Sequence, residues 1–187
     1  MEKNNLKKRL LELIKKDALF FTDVKLSSGK KSNYYIDGRR ITLTSEGVWL
    51  VAKIVFDIIK EDNVEAIGGP TIGADPIIGA VILLGHLNSY PLQGFIVRKE
   101  PKEHGMQRYI EGPSLKEGMR VAIVDDVVTT GSSILRVAQA VREKKCNITR
   151  IIAIVDREEG AEETLKKHGL YLTAIFKKDQ LNISPKS

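Results

Sequence analysis

The chain has 187 residues, of which 42% are hydrophobic and 6% aromatic, and its formal net charge is +6. A chain of this length and hydrophobic content is expected to bury a sizeable core and to fold as one domain. The charge fits a nucleic acid, a membrane surface or a small polyanion. Nucleic acid is disfavoured because aromatics are few and the sequence shows no helix-turn-helix, zinc-finger or aromatic-rich RNA-binding pattern. The composition therefore favours a compact anionic ligand.

The N-terminal segment MEKNNLKKRLLELIKK has its apolar residues at helical spacing and too many charges for a secretory signal. The longest apolar run, residues 76–85, is about half as long as a bilayer crossing requires. The single cysteine, Cys146, cannot form an intrachain disulfide. We therefore expect a cytoplasmic protein that has no membrane partner.

Further along the chain, residues 20–37 are predicted to form a hairpin around a Ser-Gly-Lys turn. Helices are predicted over 43–60, from Pro76 after an Asp75 N-cap, over 132–145, and over 159–168 before a C-terminal Gly169. Short strands are predicted over 64–69, 92–99, 120–126, 150–157 and 170–176.

Apolar strands that alternate with helices indicate an α/β fold with a mainly parallel central sheet flanked by helices. We expect a single domain over residues 1–187, in which an N-terminal helix and hairpin (the hood, residues 1–42) precede an α/β core (residues 43–187). Sheets of this kind bind their ligands beyond the carboxyl ends of the strands. The loops that follow the predicted strands are therefore the candidate site.

The segment VAIVDDVVTTGSS, residues 121–133, ends in hydroxylated residues at a helix start. Free backbone N–H groups, the helix dipole and the hydroxyls would form a cup for one phosphate, and Gly131 would allow close approach. No Walker A lysine follows, so a P-loop kinase is disfavoured. Alone, the run fits helix capping and phosphate binding equally well.

Asp125 and Asp126 favour the second interpretation. Adjacent acids at a strand end repel each other unless hydroxyls, a cation or a metal offset them. Helix capping would account for only one of the two acids. A ribose phosphate would account for both, with its phosphate in the cup and its hydroxyls on the carboxylates.

Two further loops fit the same ligand. Residues 98–108, RKEPKEHGMQR, contain four permanent cations and form either a solvated surface loop or a lid that neutralises a pyrophosphate leaving group and excludes water. Residues 68–76, GGPTIGADP, form either a tight turn or a set of backbone amides that face a diphosphate.

Together these segments resemble the type I phosphoribosyltransferases, and FIVRKEPKEHG resembles the catalytic loop of the orotate phosphoribosyltransferase family. The segments SSGKKSNYYIDGR, GGPTIGADPI and VDREEGA match the same family in order, so the resemblance covers almost the whole chain. It implies the type I fold, a homodimer with shared active sites, and Mg²⁺ bound to phosphoribosyl pyrophosphate (PRPP). The implied reaction, in UMP biosynthesis, joins orotate and PRPP to give orotidine 5′-monophosphate and pyrophosphate.

The resemblance also implies roles for individual residues. Asp125 and Asp126 would hold the ribose hydroxyls and, with Lys102, form the catalytic set. Arg98, Lys102 and His104 would reach PRPP in the neighbouring subunit, and Lys99 would serve its own subunit. Tyr34, Tyr35, Thr129 and Arg157 would bind orotate, with Arg157 facing its carboxylate. The PRPP segment continues after the acids through Val127, Val128, Thr129, Thr130, Gly131, Ser132 and Ser133.

The sequence differs from the enterobacterial members at two places. Ser27 replaces a lysine of the hairpin, and the pair Ile72-Gly73 replaces a Tyr-Lys pair in the loop that faces pyrophosphate. Two other functions remain open, namely a phosphoribosyltransferase for another nucleobase and a PRPP-sensing regulator without catalysis. The lid and the Tyr-Tyr hairpin disfavour the first. Only about forty residues precede the α/β core, which leaves little room for the nucleic-acid-binding unit that the second requires.

Overall fold

The computed structural model describes residues 3–25, 31–99 and 109–183. In the hood, α1 (Lys3–Leu13) runs into a π-helical turn (Ile14–Ala18). A nested hairpin follows, in which β1 (Leu19–Phe20) pairs with β4 (Tyr35–Ile36) and β2 (Val24–Lys25) pairs with β3 (Lys31–Ser32), both antiparallel. The predicted hairpin is therefore present, and its tip lies outside the described residues. The short helix α2 (Arg39–Thr42) ends the hood.

The central sheet has six strands in the order β10-β9-β8-β5-β6-β7. All neighbouring strands are parallel except β6 and β7, which are antiparallel. The strands are β5 (Ala66–Pro70), β6 (Gln93–Val97), β7 (Ile110–Glu111), β8 (Arg120–Val128), β9 (Asn147–Asp156) and β10 (Leu172–Lys177). The helices are α3 (Ser45–Glu61), α4 (Asp75–Leu87), α5 (Ser132–Glu143) and α6 (Ala161–Lys166), and a 3₁₀ turn (Lys178–Leu181) follows β10.

Side chains alternate between the two faces of the sheet, so that each face has its own apolar cluster. Val124 and Ile152 belong to the cluster that also contains buried residues of α1, α3 and α4. Their chain neighbours Ile123 and Ile151 belong to the cluster that contains α5 and α6. The predicted α/β fold, with a mainly parallel sheet covered by helices, is confirmed.

Among the differences from the sequence-based expectation, three concern the sheet and the helix beside the site. Strand β8 continues through both aspartates to Val128, because its pairing with β9 extends to Val128 opposite Asp156. Asp75 is the first residue of α4 and not its N-cap, which is Ala74. The edge strand β7 was not predicted, since two residues are too few to show a period. Within the described residues, no helix is long and apolar enough to cross a bilayer.

Candidate active site

A cleft of about 610 Å³ opens at the carboxyl ends of β5, β6, β8 and β9. The hood, the β5–α4 loop, the end of β6 and the start of α5 all contribute to its walls. The predicted residues that line it are Tyr35, Lys99, Asp126, Val127, Thr129, Gly131, Ser132, Ser133 and Arg157. The topology thus brings most of the sequence-predicted site residues to one edge of the sheet.

The predicted anion cup lies at the start of α5. Gly131 has a left-handed backbone with φ of 81°, a conformation that glycine adopts without strain, and α5 begins at the next residue. By helix geometry the first amides of α5 have no partner within the helix, and Gly131, Ser132 and Ser133 line the cleft, so these amides are available to an anion there. Thr130 donates its hydroxyl hydrogen to Ser132 Oγ at 3.4 Å, and Val128 is buried behind the cup.

Asp125 is 6% exposed and lies at the base of the cup. Its carboxylate accepts hydrogen bonds from the Asp126 N–H at 2.9 Å and from the Ser133 hydroxyl at 3.2 Å. Burial, and then repulsion from Asp126, raise the pKa of Asp125 well above the usual carboxyl range. A ligand that brings hydroxyl donors or positive charge would offset this cost.

Asp126 lines the cleft and accepts a hydrogen bond from the Val127 N–H at 2.8 Å. Burial raises the pKa of Asp126 as well. Two glycines lie against its side chain. A Cβ at Gly38 would lie 2.7 Å from Asp126 Cβ, and a Cβ at Gly73 would lie 2.4 Å from Asp126 Oδ1. Only glycine fits at these two positions unless Asp126 moves.

Arg157 is 2% exposed although its side chain reaches the cleft wall. It donates a hydrogen bond from an Nη atom to Ser32 Oγ at 3.0 Å, and its Nε lies 2.9 Å from a Glu159 carboxylate oxygen. Its guanidinium stacks over the Tyr34 ring at 4.2 Å from the centroid. The side chain is therefore held by contacts on three sides, two of them from the hood.

The two tyrosines of the hairpin have different environments. Tyr35 lines the cleft and is partly exposed. Tyr34 is buried beneath Arg157, does not line the cleft, and has a hydroxyl without a hydrogen-bond partner among the described residues. Burial raises the pKa of Tyr34. Tyr35 is thus in a position to meet a ligand in the cleft, whereas the Tyr34 ring lies against Arg157 instead.

The predicted lid is only partly described. Lys99 lines the cleft, whereas Arg98 lies beside it with a guanidinium nitrogen 3.9 Å from a carboxylate oxygen of Glu111. Lys102 and His104 lie outside the described residues.

Three charged cleft residues were missed by the sequence analysis: Asp37, Arg39 and Arg136. Arg39 Nε donates to Asp37 Oδ1 at 2.8 Å, and an Nη atom of Arg39 donates to Asp37 Oδ2 at 3.2 Å. A local signal for this pair existed in the sequence IDGR, where an acid and an arginine flank a glycine. Arg136 gave no signal beyond its place in an amphipathic helix.

No group of three or more metal-ligating side chains occurs in the ranges that the structure describes. Asp125 and Asp126 supply two carboxylates, which is typical of contact with a Mg²⁺ ion that keeps most of its ligands on phosphate and water. The donor set therefore fits a cation that arrives with a phosphorylated substrate.

A helix start with unpaired amides, the buried Asp125 beside the partly buried Asp126, and a parallel sheet form the arrangement expected of a protein that binds a phosphorylated sugar. The phosphoribosyl transferase domain model matches residues 50–180. The chain is 47% identical to the orotate phosphoribosyltransferase of Aquifex aeolicus (strain VF5), over 94% of this chain and 97% of that protein.

Solved structures agree with the sequence relatives. The orotate phosphoribosyltransferase of Mycobacterium tuberculosis H37Rv in complex with Fe(III) dicitrate superimposes with a TM-score of 0.80 at 34% identity, covering 95% of this chain and 99% of that chain. The same protein in complex with PRPP gives a TM-score of 0.77 at 31% identity, with coverage of 95% and 99%. The chain therefore belongs to the phosphoribosyl transferase family and, within it, to the orotate phosphoribosyltransferases, which are glycosyltransferases.

Proposed function

We propose that this enzyme transfers the 5-phosphoribosyl group from PRPP to orotate, giving orotidine 5′-monophosphate and pyrophosphate, in UMP biosynthesis in the cytoplasm. One observation carries the assignment: the anion cup of α5 and the buried guanidinium of Arg157 open into the same cleft. A ligand that fills this cleft would carry a phosphate at one end and a carboxylate at the other. Orotate joined to ribose 5-phosphate has this arrangement.

The ribose phosphate end is assigned to the β8–α5 junction. The backbone amides and hydroxyls of Thr129 to Ser133 would bind the 5′-phosphate, and Asp125 and Asp126 would accept hydrogen bonds from the ribose hydroxyls. When pyrophosphate leaves, positive charge spreads over C1 and the ring oxygen of the ribose. The two carboxylates would stabilise this charge, and no covalent nucleophile is required.

The orotate end is assigned to the hood and the end of β9. Arg157 would bind the carboxylate of orotate, aided by the Thr129 hydroxyl, while Tyr35 would lie against the pyrimidine ring. Because Ser32, Glu159 and Tyr34 already fix the guanidinium, little side-chain entropy is lost on binding. Uracil lacks the carboxylate and would leave this buried cation with one fewer partner.

We assign Mg²⁺ to the diphosphate of PRPP, with Asp125 and Asp126 as the nearest carboxylates of the chain. Bound there, the ion would neutralise charge on the departing pyrophosphate.

The lid is assigned to pyrophosphate. Arg98, Lys102 and His104 would act on PRPP of the neighbouring subunit in a homodimer, while Lys99 would act in its own site. Lys102 would be the cation nearest the departing group. Large apolar side chains are exposed on α3 and α4, at Trp49, Leu83 and Leu87, and they would suit contact with a second copy.

The test is an assay with PRPP, Mg²⁺ and orotate that follows the loss of orotate absorbance and the release of pyrophosphate. We expect turnover with orotate and none with uracil, adenine, guanine or hypoxanthine. Turnover with one of those bases but not orotate would indicate a different phosphoribosyltransferase. Binding of PRPP without turnover of any base would favour a regulator.

A further inference from the structure

Arg136 lies one helical turn after Ser132 on α5, and both residues line the cleft. Residues four apart on a helix share a face, with about 5–6 Å between their Cβ atoms. An arginine side chain extends far enough to reach a group that is bound at Ser132. Arg136 is thus within reach of whatever occupies the cup.

Half of the cationic side chains that line the cleft are already paired with carboxylates. Of the cations that line it, Arg39 is paired with Asp37, and Arg157 is paired with Glu159. The remaining two cations are Lys99 and Arg136. They form neither an ion pair nor a side-chain hydrogen bond with any residue that the structure describes. These two cations are therefore available to a ligand.

The start of α5 adds to the positive potential. Its first turn contains no acidic residue, although acids are favoured there by the helix dipole. Arg136 in the second turn brings a further positive charge to this end of the helix. An anion beside the cup would offset both contributions.

We propose that Arg136 is a further binding residue for the 5′-phosphate of the substrate, which it contacts from the helix side of the cup. The inference rests on the proposed function, in which the cup holds a ribose 5-phosphate group. Arginine presents a planar pair of N–H donors that matches two phosphate oxygens, so it adds both charge and orientation to the amides and hydroxyls of the cup. Lys99, at the end of β6, remains for the diphosphate.

The experiment uses ligands that carry only one of the two phosphate groups. Binding of ribose 5-phosphate, of pyrophosphate with Mg²⁺, and of PRPP with Mg²⁺ is measured by titration calorimetry for the natural protein, Arg136→Ala and Arg136→Lys. We expect Arg136→Ala to weaken ribose 5-phosphate and PRPP by roughly 10-fold or more, as for loss of a charge-assisted hydrogen bond, and to leave pyrophosphate unchanged. Arg136→Lys should recover part of the loss.

Lys144→Ala is the matched control, because it removes one positive charge at the far end of α5, outside the cleft. Thermal unfolding checks that each variant is folded. Unchanged binding of ribose 5-phosphate in folded Arg136→Ala would overturn the inference, as would an equal loss for pyrophosphate or an equal effect of Lys144→Ala. Because these ligands contain no base, a failure of orotate turnover would contradict the proposed function without affecting this test.

Discussion

Asp125 has a carboxyl group that the fold surrounds almost completely, and among the described residues its hydrogen-bond donors are the Asp126 N–H and the Ser133 hydroxyl. Its pKa in the folded state is raised by burial above the ordinary value of 3.8. A carboxyl group whose pKa is higher in the folded state than in the unfolded state favours folding when it is protonated. This contribution is fully present below the unfolded-state pKa and is lost as the pH rises through the folded-state pKa. Near neutral pH the ionised carboxylate therefore costs stability.

We predict that Asp125→Asn is more stable than the natural protein near neutral pH, by roughly 2–6 °C in Tm for a chain of this size. The gain should shrink as the pH falls toward 3.8 and disappear below it, where the natural carboxyl group is neutral in both states. Turnover should fall by roughly 100-fold or more, since the negative charge beside the ribose is gone. Thermal unfolding at several pH values and the orotate assay measure both effects. A lower Tm at neutral pH would contradict the argument.

Tyr34 tests how Arg157 is positioned. The ring supports the guanidinium, while its hydroxyl makes no hydrogen bond among the described residues. We predict that Tyr34→Phe keeps the KM for orotate near its natural value and that Tyr34→Leu raises it by roughly 10-fold, as expected for loss of a partly desolvated cation–π contact. The KM for PRPP should change little in either variant. Equal effects of both substitutions, or an equal rise in both KM values, would exclude this role.

At the scale of single residues, the sequence indicated the cup and the two acids because their neighbours in the chain are also their neighbours in the site. It did not indicate that Ser32 and Glu159 hold Arg157, since the contact with Ser32 joins residues 125 positions apart. Nor did it separate Tyr34 from Tyr35. Tyr34, the residue before β4, packs against Arg157, whereas Tyr35, the first residue of β4, lines the cleft.

Among the elements, the start of α2 and the β5–α4 loop meet at the Asp126 side chain through Gly38 and Gly73. We predict that Gly38→Ala and Gly73→Ala each displace Asp126 and lower turnover by roughly 10-fold or more, because close packing around a site transmits small shifts to the reacting groups. The orotate assay with saturating PRPP measures the effect.

Gly79→Ala is the matched control for these substitutions. Among the described residues outside its own helix backbone, nothing lies within 4 Å of a Cβ at this position on α4, so turnover should be unchanged and stability should rise by about 1 kcal/mol. Full activity of both Gly38→Ala and Gly73→Ala would show that the position of Asp126 does not depend on these contacts.

The sequence predicted the types and order of the elements well, because strands buried on both faces alternate with amphipathic helices. The ends of the elements were less predictable. β8 reaches past both aspartates only because β9 pairs with it that far, and Asp75 lies inside α4, where its carboxylate accepts a hydrogen bond from Thr71. The end of β8 depends on its pairing with β9, a separate strand further along the chain. The position of Asp75 depends on a hydrogen bond with Thr71 that competes with helix capping.

At the scale of the whole molecule, the proposed sharing of lids between two subunits has a direct test. Lys102→Ala and Asp125→Asn should each be nearly inactive alone. After mixing under conditions that allow exchange, each hybrid dimer would combine both changes in one site and leave the other site intact. Random assortment would then restore about a quarter of the natural activity. No recovery in a mixture that mass spectrometry shows to contain hybrids would contradict shared sites.

The hydrogen bond between Arg157 and Ser32 also affects which chimeras of related enzymes would keep their base selectivity. One half of the proposed base-recognition unit lies at Ser32 and Tyr34 and the other half at Arg157, with most strands of the central sheet between them along the chain. Chimeras whose crossover falls between the two halves would pair a guanidinium from one parent with a hairpin from another. In shuffled libraries, base selectivity should therefore survive mainly where both segments descend from the same parent, whatever the ancestry of the intervening sheet.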